Sequence, residues 1–206
     1  MPVERFVLDG DPATRIVQVA GCERVKLIVM PTHGYGPFRR FILGSVTAKV
    51  LHDADCAVLT SAHIEEAPPE SLAFRNILCA VDLGRQSRTA LAWAGEFAAK
   101  YDSRLYMVHV LPSIEAGQAR YFDAEFRAAL HHTAKEEVEA LLQGACQGAD
   151  IVIEHGAVAQ SVRAAAESVK ADCIVIGRHV SPGILGRLHA DAYAIVRESP
   201  CPVISV

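Results

Sequence analysis

Aromatic residues are scarce in this chain: one Trp, five Tyr and seven Phe make up 6% of its 206 residues. Positive charge is not in excess either, since 20 Lys and Arg against 24 Asp and Glu give a formal net charge of −4. These two shortages argue against the basic face with interleaved stacking rings that a nucleic-acid protein presents, and the pair Arg39-Arg40 is too short to make one. No run approaches the roughly 18 apolar residues that a membrane-spanning helix needs. The amino terminus, MPVERFVLDG, lacks a basic segment followed by an apolar one, so a soluble, cytoplasmic protein is expected, with neither nucleic acid nor membrane as partner. Six cysteines (Cys22, Cys56, Cys79, Cys146, Cys173, Cys201) form no C-x-x-C pair. Four lie in or beside apolar strand-like runs, where a thiol serves as a small hydrophobe, and all six are expected to be reduced and buried. Also missing are the G-x-x-x-x-G-K-[ST] phosphate loop, the G-x-S-x-G elbow and the H-E-x-x-H metal site.

What is present is an ordinary globular composition, 51% hydrophobic and 21% charged, in a length that gives between one and two domains at about 150 residues each. An internal repeat organises it. Residues 3–61 resemble residues 149–206, most clearly where RVKLIVMPTHG meets KADCIVIGRHV. An offset of 146 sets Gly10 on Gly156, Leu27 on Cys173, Val29 on Val175, His33 on His179 and Val50 on Val196. One deletion then changes the offset to 145, setting Cys56 on Cys201 and Val58 on Val203.

Each copy reads as strand, helix, strand, helix, strand, with RFVL, KLIVM and CAVLT as the strands of the first and IVIE, CIVI and CPVISV as those of the second. Between the copies, residues 63–73 carry Pro68-Pro69 and the acids Glu65, Glu66 and Glu70, which is linker chemistry. After it come the strand NILCAVD, a helix over SRTALAWAGEFAAKY, the strand RLYMVHVL and an amphipathic helix over YFDAEFRAALHHTAKEEVEALLQGA. Short apolar runs alternating with helices predict parallel strands joined by crossover helices. Residues 74–206 therefore form a complete α/β domain, a doubly wound parallel five-stranded sheet of Rossmann-like type. Residues 1–62 form a partial copy holding the last three strands only, and nothing in it corresponds to residues 74–148.

The segment PTHG, nine residues, then Gly44-Ser45-Val46-Thr47 resembles the signature of the universal stress protein family, G-x-x-G, nine residues, G-[ST]. Pro31 stands where that signature begins with glycine. The second copy is similar to the same family in NILCAVD, Ser87 before the first helix, MVHVL, CIVIG and SPCPVISV. The resemblance implies an adenine nucleotide α-hydrolase-like fold with strand order 3-2-1-4-5, ATP as the cofactor to consider, and homodimerisation through the final strand, here VISV. It also assigns residues. Gly34, Gly44, Ser45 and Val46 would cradle phosphate, using a tight loop and a helix N-terminus rich in unpaired N–H groups. Asp82 would hold the adenosine and Val110 would lie near the base. In the second copy Gly177 remains, but Val180 replaces the next glycine and Ala190-Asp191 replaces the G-[ST] pair. Arg178, Arg187 and His189 are the cations that could offset Asp191. The plain structural reading of Ser45 is a helix N-cap.

No copy carries a complete site. Strand order 3-2-1-4-5 would leave a gap in the first copy where two central strands belong, so either Met1 is not the ancestral start or a partner chain fills the gap. His131-His132 are adjacent and point apart, which suits a solvated face, and no metal site is expected. Glu136, Glu137 and Glu139 belong to the solvent face of their helix, and His33 and His179 shape their loops. The expected function is a non-enzymatic stress-response module acting through self- or partner association, with vestigial nucleotide binding. The alternatives are an ATP-binding sensor or slow ATP hydrolase and, further off, an adenylate-forming enzyme of the same superfold.

Overall fold

The computed structural model describes residues 3–32, 43–61, 73–111, 124–145, 148–178 and 190–206. In chain order the elements are α1 (Pro12–Cys22), β1 (Leu27–Pro31), α2 (Ser45–Asp53), β2 (Ala57–Ser61), β3 (Asn76–Val81), α3 (Arg85–Tyr101), β4 (Arg104–Leu111), α4 (Ala124–Ala145), β5 (Asp150–His155), α5 (Val158–Ser168), β6 (Cys173–Ile176), α6 (Ala190–Glu198) and β7 (Val203–Ser205). The seven strands make one sheet in the order β1-β2-β7-β6-β3-β4-β5. Within the second copy all neighbours are parallel and run β5-β4-β3-β6-β7.

The copies meet through their last strands, and β2 pairs β7 antiparallel as Val58↔Ser205, Leu59↔Ile204 and Thr60↔Val203. Under the repeat offset of 145, Leu59 faces its own counterpart, Ile204, and each of the other two pairs maps onto the other. The junction is thus a local two-fold built inside one chain, with the isologous pattern of a symmetric dimer. This overturns the expectation that VISV is a free dimerisation edge, because β7 has β6 on one side and β2 on the other. Arg178 reinforces the junction. Its guanidinium donates to the carbonyls of Leu51 (3.1 Å), Ala54 (2.8 Å) and Cys56 (2.6 Å), so a cation from the second copy caps the C-terminus of α2 in the first.

The sheet separates two apolar layers. Helices α3 and α4 cover one face through Ala90, Leu91, Ala94 and Ala98 on the first and Val138 and Leu141 on the second, over Ile77, Cys79, Met107, Val175 and Ile204. Residues Ala134, Val138 and Leu141 recur at helical spacing and are the buried ones of α4, while Glu136, Glu137 and Glu139 are exposed. On the opposite face α5 and α6 bury Val162, Ala165, Ala166, Ile195 and Val196 against Leu78, Val108, Ile174 and Val203. Next to them α1 and α2 bury Ala13, Ala20, Val50 and Leu51 against Ile28 and Val58, and Leu43 touches both clusters.

The first copy holds two strands and not the three its pattern predicts. RFVL is not a strand: Phe6, Val7 and Leu8 are exposed by 57%, 97% and 52%. Its counterpart β5 exists because it pairs with β4 over six residues. A strand needs a partner for its backbone groups, and among the described residues no strand lies beside RFVL as β4 lies beside β5. Among the described residues no strand pairs with the outer edge of β1.

The geometry also corrects the repeat register. α1 and α5 match at offset 146 (158 − 12 and 168 − 22), but α2 and α6 match at 145 (190 − 45 and 198 − 53). Burial agrees, since Thr47, Val50 and Leu51 are buried as are Ala192, Ile195 and Val196. Val50 therefore corresponds to Ile195 and not Val196, Ser45 to Ala190 and Val46 to Asp191. The deletion falls ahead of α6, and spacing alone could not locate it.

Five cysteines are free: Cys79 and Cys173 are buried, Cys56 and Cys201 half-buried, and Cys22 exposed, contrary to expectation. Cys146 lies outside the described residues. Burial pushes the Cys201 thiol up to about 11 and the Cys173 thiol higher still, so both stay protonated and unreactive at neutral pH.

Candidate functional site

A cavity of about 220 Å³ opens at the carboxyl ends of β3, β4 and β6. Its walls are largely aliphatic, with Val108, Val110, Val158, Val162, Ile176 and Ile195, and its polar groups include Asp82, Gln86, Ser87 and Asp191. The chain passes from β3 to β4 on one side and later to β6 on the other, so β3 is where the winding reverses. Doubly wound sheets bind ligands in the crevice outside the carboxyl ends at that point.

The β3–α3 connection is held tightly. Asp82 Oδ1 accepts hydrogen bonds from Ser87 Oγ (2.7 Å) and the Gly84 amide (2.8 Å), and the Asp82 amide donates to Ser87 Oγ (3.1 Å). Leu83 takes the left-handed conformation at φ 62°, and a Cβ on Gly84 would stand 2.9 Å from Asp82 Oδ1, so a side chain there would push the carboxylate out of its place. At the end of β4, His109 Nδ1 lies 3.0 Å from the Val81 carbonyl and steadies the strand ahead of Val110. Gly177 lets β6 approach α3 closely, because a Cβ there would meet Gln86 Cβ at 3.3 Å and its carbonyl at 3.4 Å.

Of the residues singled out from sequence, Asp82, Val110 and Gly177 line this cavity together, whereas Gly44, Ser45 and Val46 do not. Gly34 lies outside the described residues, as do His33, His179, Val180, Arg187 and His189. At α2 the cap is Gly44 with no side-chain cap bond, which corrects the reading of Ser45 as the capping residue. The Gly44 amide already donates to Thr32 O at 2.8 Å. Thr47 Oγ1 donates to Pro31 O at 3.0 Å, and these two residues correspond to Ala192 and Gly177 of the cavity wall. A bond thus closes in the first copy the corner that small side chains leave open in the second. Arg178 does not serve the cavity either: its guanidinium is turned to the first copy, and burial lowers its pKa from the ordinary value.

Sequence reasoning missed Gln86, Val158, Val162 and Ile195 as walls. The three aliphatic ones show only the apolar inner face of their helices, which also marks ordinary core, and Gln86 carries no signal. His132 Nε2 lies 3.3 Å from Glu136 Oε1, while His131 stacks on His155 with ring centroids 6.0 Å apart. Among the described residues no group of three His, Cys, Asp or Glu could hold a metal ion, and no helix is long and apolar enough to cross a membrane.

This doubly wound fold is shared with known proteins. The pattern of the Universal stress protein family matches residues 2–61 and 73–206, and the chain belongs to that family, which supports a role in stress response. Universal stress protein A homolog 1 of Coxiella burnetii is 28% identical over 138 residues, 65% of this chain and 96% of that protein. A solved universal stress protein from Archaeoglobus fulgidus is 24% identical with TM-score 0.64, over 95% of this chain and 65% of its own. A solved putative universal stress protein from Pseudomonas aeruginosa is 22% identical with TM-score 0.67, over 97% of this chain and 69% of its own. The present chain thus spans about two thirds of these two solved chains, and at such identities the likeness shows the fold.

Proposed function

We propose that this chain is a non-enzymatic, cytoplasmic stress-response module that acts through association with protein partners or with itself. Its second copy takes an adenine nucleoside or nucleotide in the cavity at the end of β3. The observation that carries the ligand reading is the cavity's place at the switch point, with aliphatic walls suited to a flat base and a fixed carboxylate, Asp82, suited to ribose hydroxyls. No His, Lys or Cys lines it among the described residues, and the Ser87 hydroxyl is bonded to Asp82. That arrangement supports binding over hydrolysis.

Association belongs on the first copy, where Val3, Phe6, Val7, Leu8 and Val29 are exposed by 52–97% and no described strand pairs with the outer edge of β1. Exposed apolar side chains gathered on one part of a molecule mark an interaction site.

Calorimetric titration with adenosine and ATP tests the ligand reading. Binding that weakens at least about tenfold in Gly177→Val, whose side chain would intrude between β6 and α3, is the expected result. No heat from either ligand in the wild type removes the nucleotide reading. Release of phosphate from ATP, lost in Asp82→Ala, would favour a slow hydrolase instead.

A further inference from the structure

We infer that the first copy holds a ligand site of its own, for an aliphatic carboxylate, in the groove between residues 6–8, α1 and β1. This site is separate from the nucleoside cavity and does not depend on it. The groove measures about 400 Å³ and is lined by Phe6, Leu8, Ile16, Val19, Val25 and Ile28, with Arg15 as the charged residue among its described walls. Small-molecule sites fall in the range of roughly 300–1,000 Å³, with mostly apolar walls and a few placed polar groups.

The apolar half of the preference is written in the repeat. Ile16, Ala20 and Ile28 correspond at offset 146 to Val162, Ala166 and Ile174, which the second copy buries against Leu78 and Val108. The same face of helix and strand thus packs on branched aliphatic side chains in one copy and lines an open groove in the other. Ile16 and Val19 are half-buried there, and Phe6 and Leu8 are exposed by 57% and 52%. An alkyl chain laid between them removes apolar surface from water, at about 25 cal/mol per Å².

Arg15 supplies the charged half. Its counterpart is Ser161, and both side chains donate to the carbonyl at the turn before their helix, Ser161 Oγ to His155 O at 3.3 Å and Arg15 Nε to Asp9 O at 2.6 Å. The turn is kept while the group that holds it changes from a hydroxyl to a guanidinium. Gly10, at φ +124°, makes the room, since a Cβ there would stand 3.0 Å from Arg15 Nε. Arg15 Nη1 donates to Gln18 Oε1 at 2.8 Å. Both acceptors are neutral, so they orient the guanidinium without cancelling its charge. Asp11, at the start of α1, is paired with Lys49 at 3.1 Å. A carboxylate ending an alkyl chain therefore meets an oriented cation at the rim of the groove and gains a charge-assisted hydrogen bond, whereas an alkylammonium meets like charge.

Calorimetry with decanoate, decanol and decylammonium, which share one alkyl chain and are used below their micelle concentrations, tests the site. Methyl NMR shifts at Ile16, Val19, Val25 and Ile28 locate the binding, and thermal midpoints show that the variants fold. Decanoate is expected to bind most tightly, decanol about fivefold weaker and decylammonium weaker still, a spread that narrows as salt rises. Arg15→Gln should bring decanoate down to the level of decanol, with decanol changed less than about twofold. Val19→Trp, which fills the groove, should weaken all three. Because Arg15 is exposed, the Arg15→Gln comparison stands whatever Val19→Trp does to folding. Equal binding of the three probes, a ranking unchanged in Arg15→Gln, shifts confined to methyls outside the groove, or no binding at all would each overturn the proposal. None of these outcomes touches the nucleoside cavity, which the titration with adenosine and ATP decides by itself.

Discussion

Residues 12–32 and 158–178 have nearly the same backbone. Gly10 and Gly156 turn at φ +124° and +134°, Arg24 and Lys170 both sit at φ 52°, and Val25 N to Ala20 O repeats as Ala171 N to Ala166 O, each 2.8 Å. Yet Val29 is 59% exposed and Val175, the same residue at the same place in its strand, is fully buried. The difference comes from what lies alongside. β6 has β3 as a neighbour and α3 above it, and Asp172 Oδ2 anchors the start of β3 through the amides of Arg75 (2.7 Å) and Asn76 (2.8 Å). The residue matching Asp172 is Lys26, and among the described residues no counterpart of β3 stands beside it. Burying one valine is worth about 1.5–3 kcal/mol, so local sequence alone does not set what a residue contributes.

The largest expected contrast is in amide hydrogen exchange. The slowest amides of Cys173–Ile176 should exchange at least about a thousandfold more slowly than the fastest of Leu27–Met30, since a central strand opens only with global unfolding and an edge opens locally. Equal protection on both strands would mean that the edge of β1 is covered in solution. Next comes the bond between the copies. Arg178→Ala strands three carbonyls at the end of α2 and in its connection to β2 and should cost about 2–4 kcal/mol in urea unfolding, and a separate early transition for the first copy would show that Arg178 is what makes the two unfold together.

A smaller effect is expected at the two-fold. Thr60 Oγ1 donates to the Val203 carbonyl at 3.4 Å, whereas the Oγ of its counterpart, Ser205, is buried without a hydrogen-bond partner among the described residues. Ser205→Ala should therefore be neutral or stabilising by up to about 1 kcal/mol, and Thr60→Ala destabilising; the reverse order would break the comparison. The smallest concerns acid. A hydrogen bond from Lys49 lowers the Asp11 carboxyl below its ordinary pKa, and the matching position in the second copy is Ala157. A depressed folded pKa gives stability that is present above the ordinary carboxylate value and lost as pH falls through the folded value. Proton NMR titration should show the α1–α2 contact loosening below that range, with no matching change at α5 and α6.

The second copy was legible to a large extent. NILCAVD, RLYMVHVL, CIVI and the helices α3 and α4 form, within the described residues, where their patterns place them, because each pattern finds the partner it needs. RFVL carries an equally good strand pattern and forms none, since period and composition report a preference while a ladder requires a neighbour. Asp82, Val110 and Gly177 were reached through motifs that sit at strand ends. Val158, Val162 and Ile195 were not, because an aliphatic helix face reads the same over a cavity as over a core, and Gln86 carries no mark in local pattern.

By itself, the sequence determined the repeat, the alternation of strands and helices and the family, since all of these are written in local pattern and order. Only the tertiary structure decided that β7 meets β2 of its own chain, that Arg178 spans the copies, and that Asp191 lies in the wall of the cavity with Asp82. Each of these depends on groups far apart in the chain meeting in space, and distance along a sequence carries no record of that.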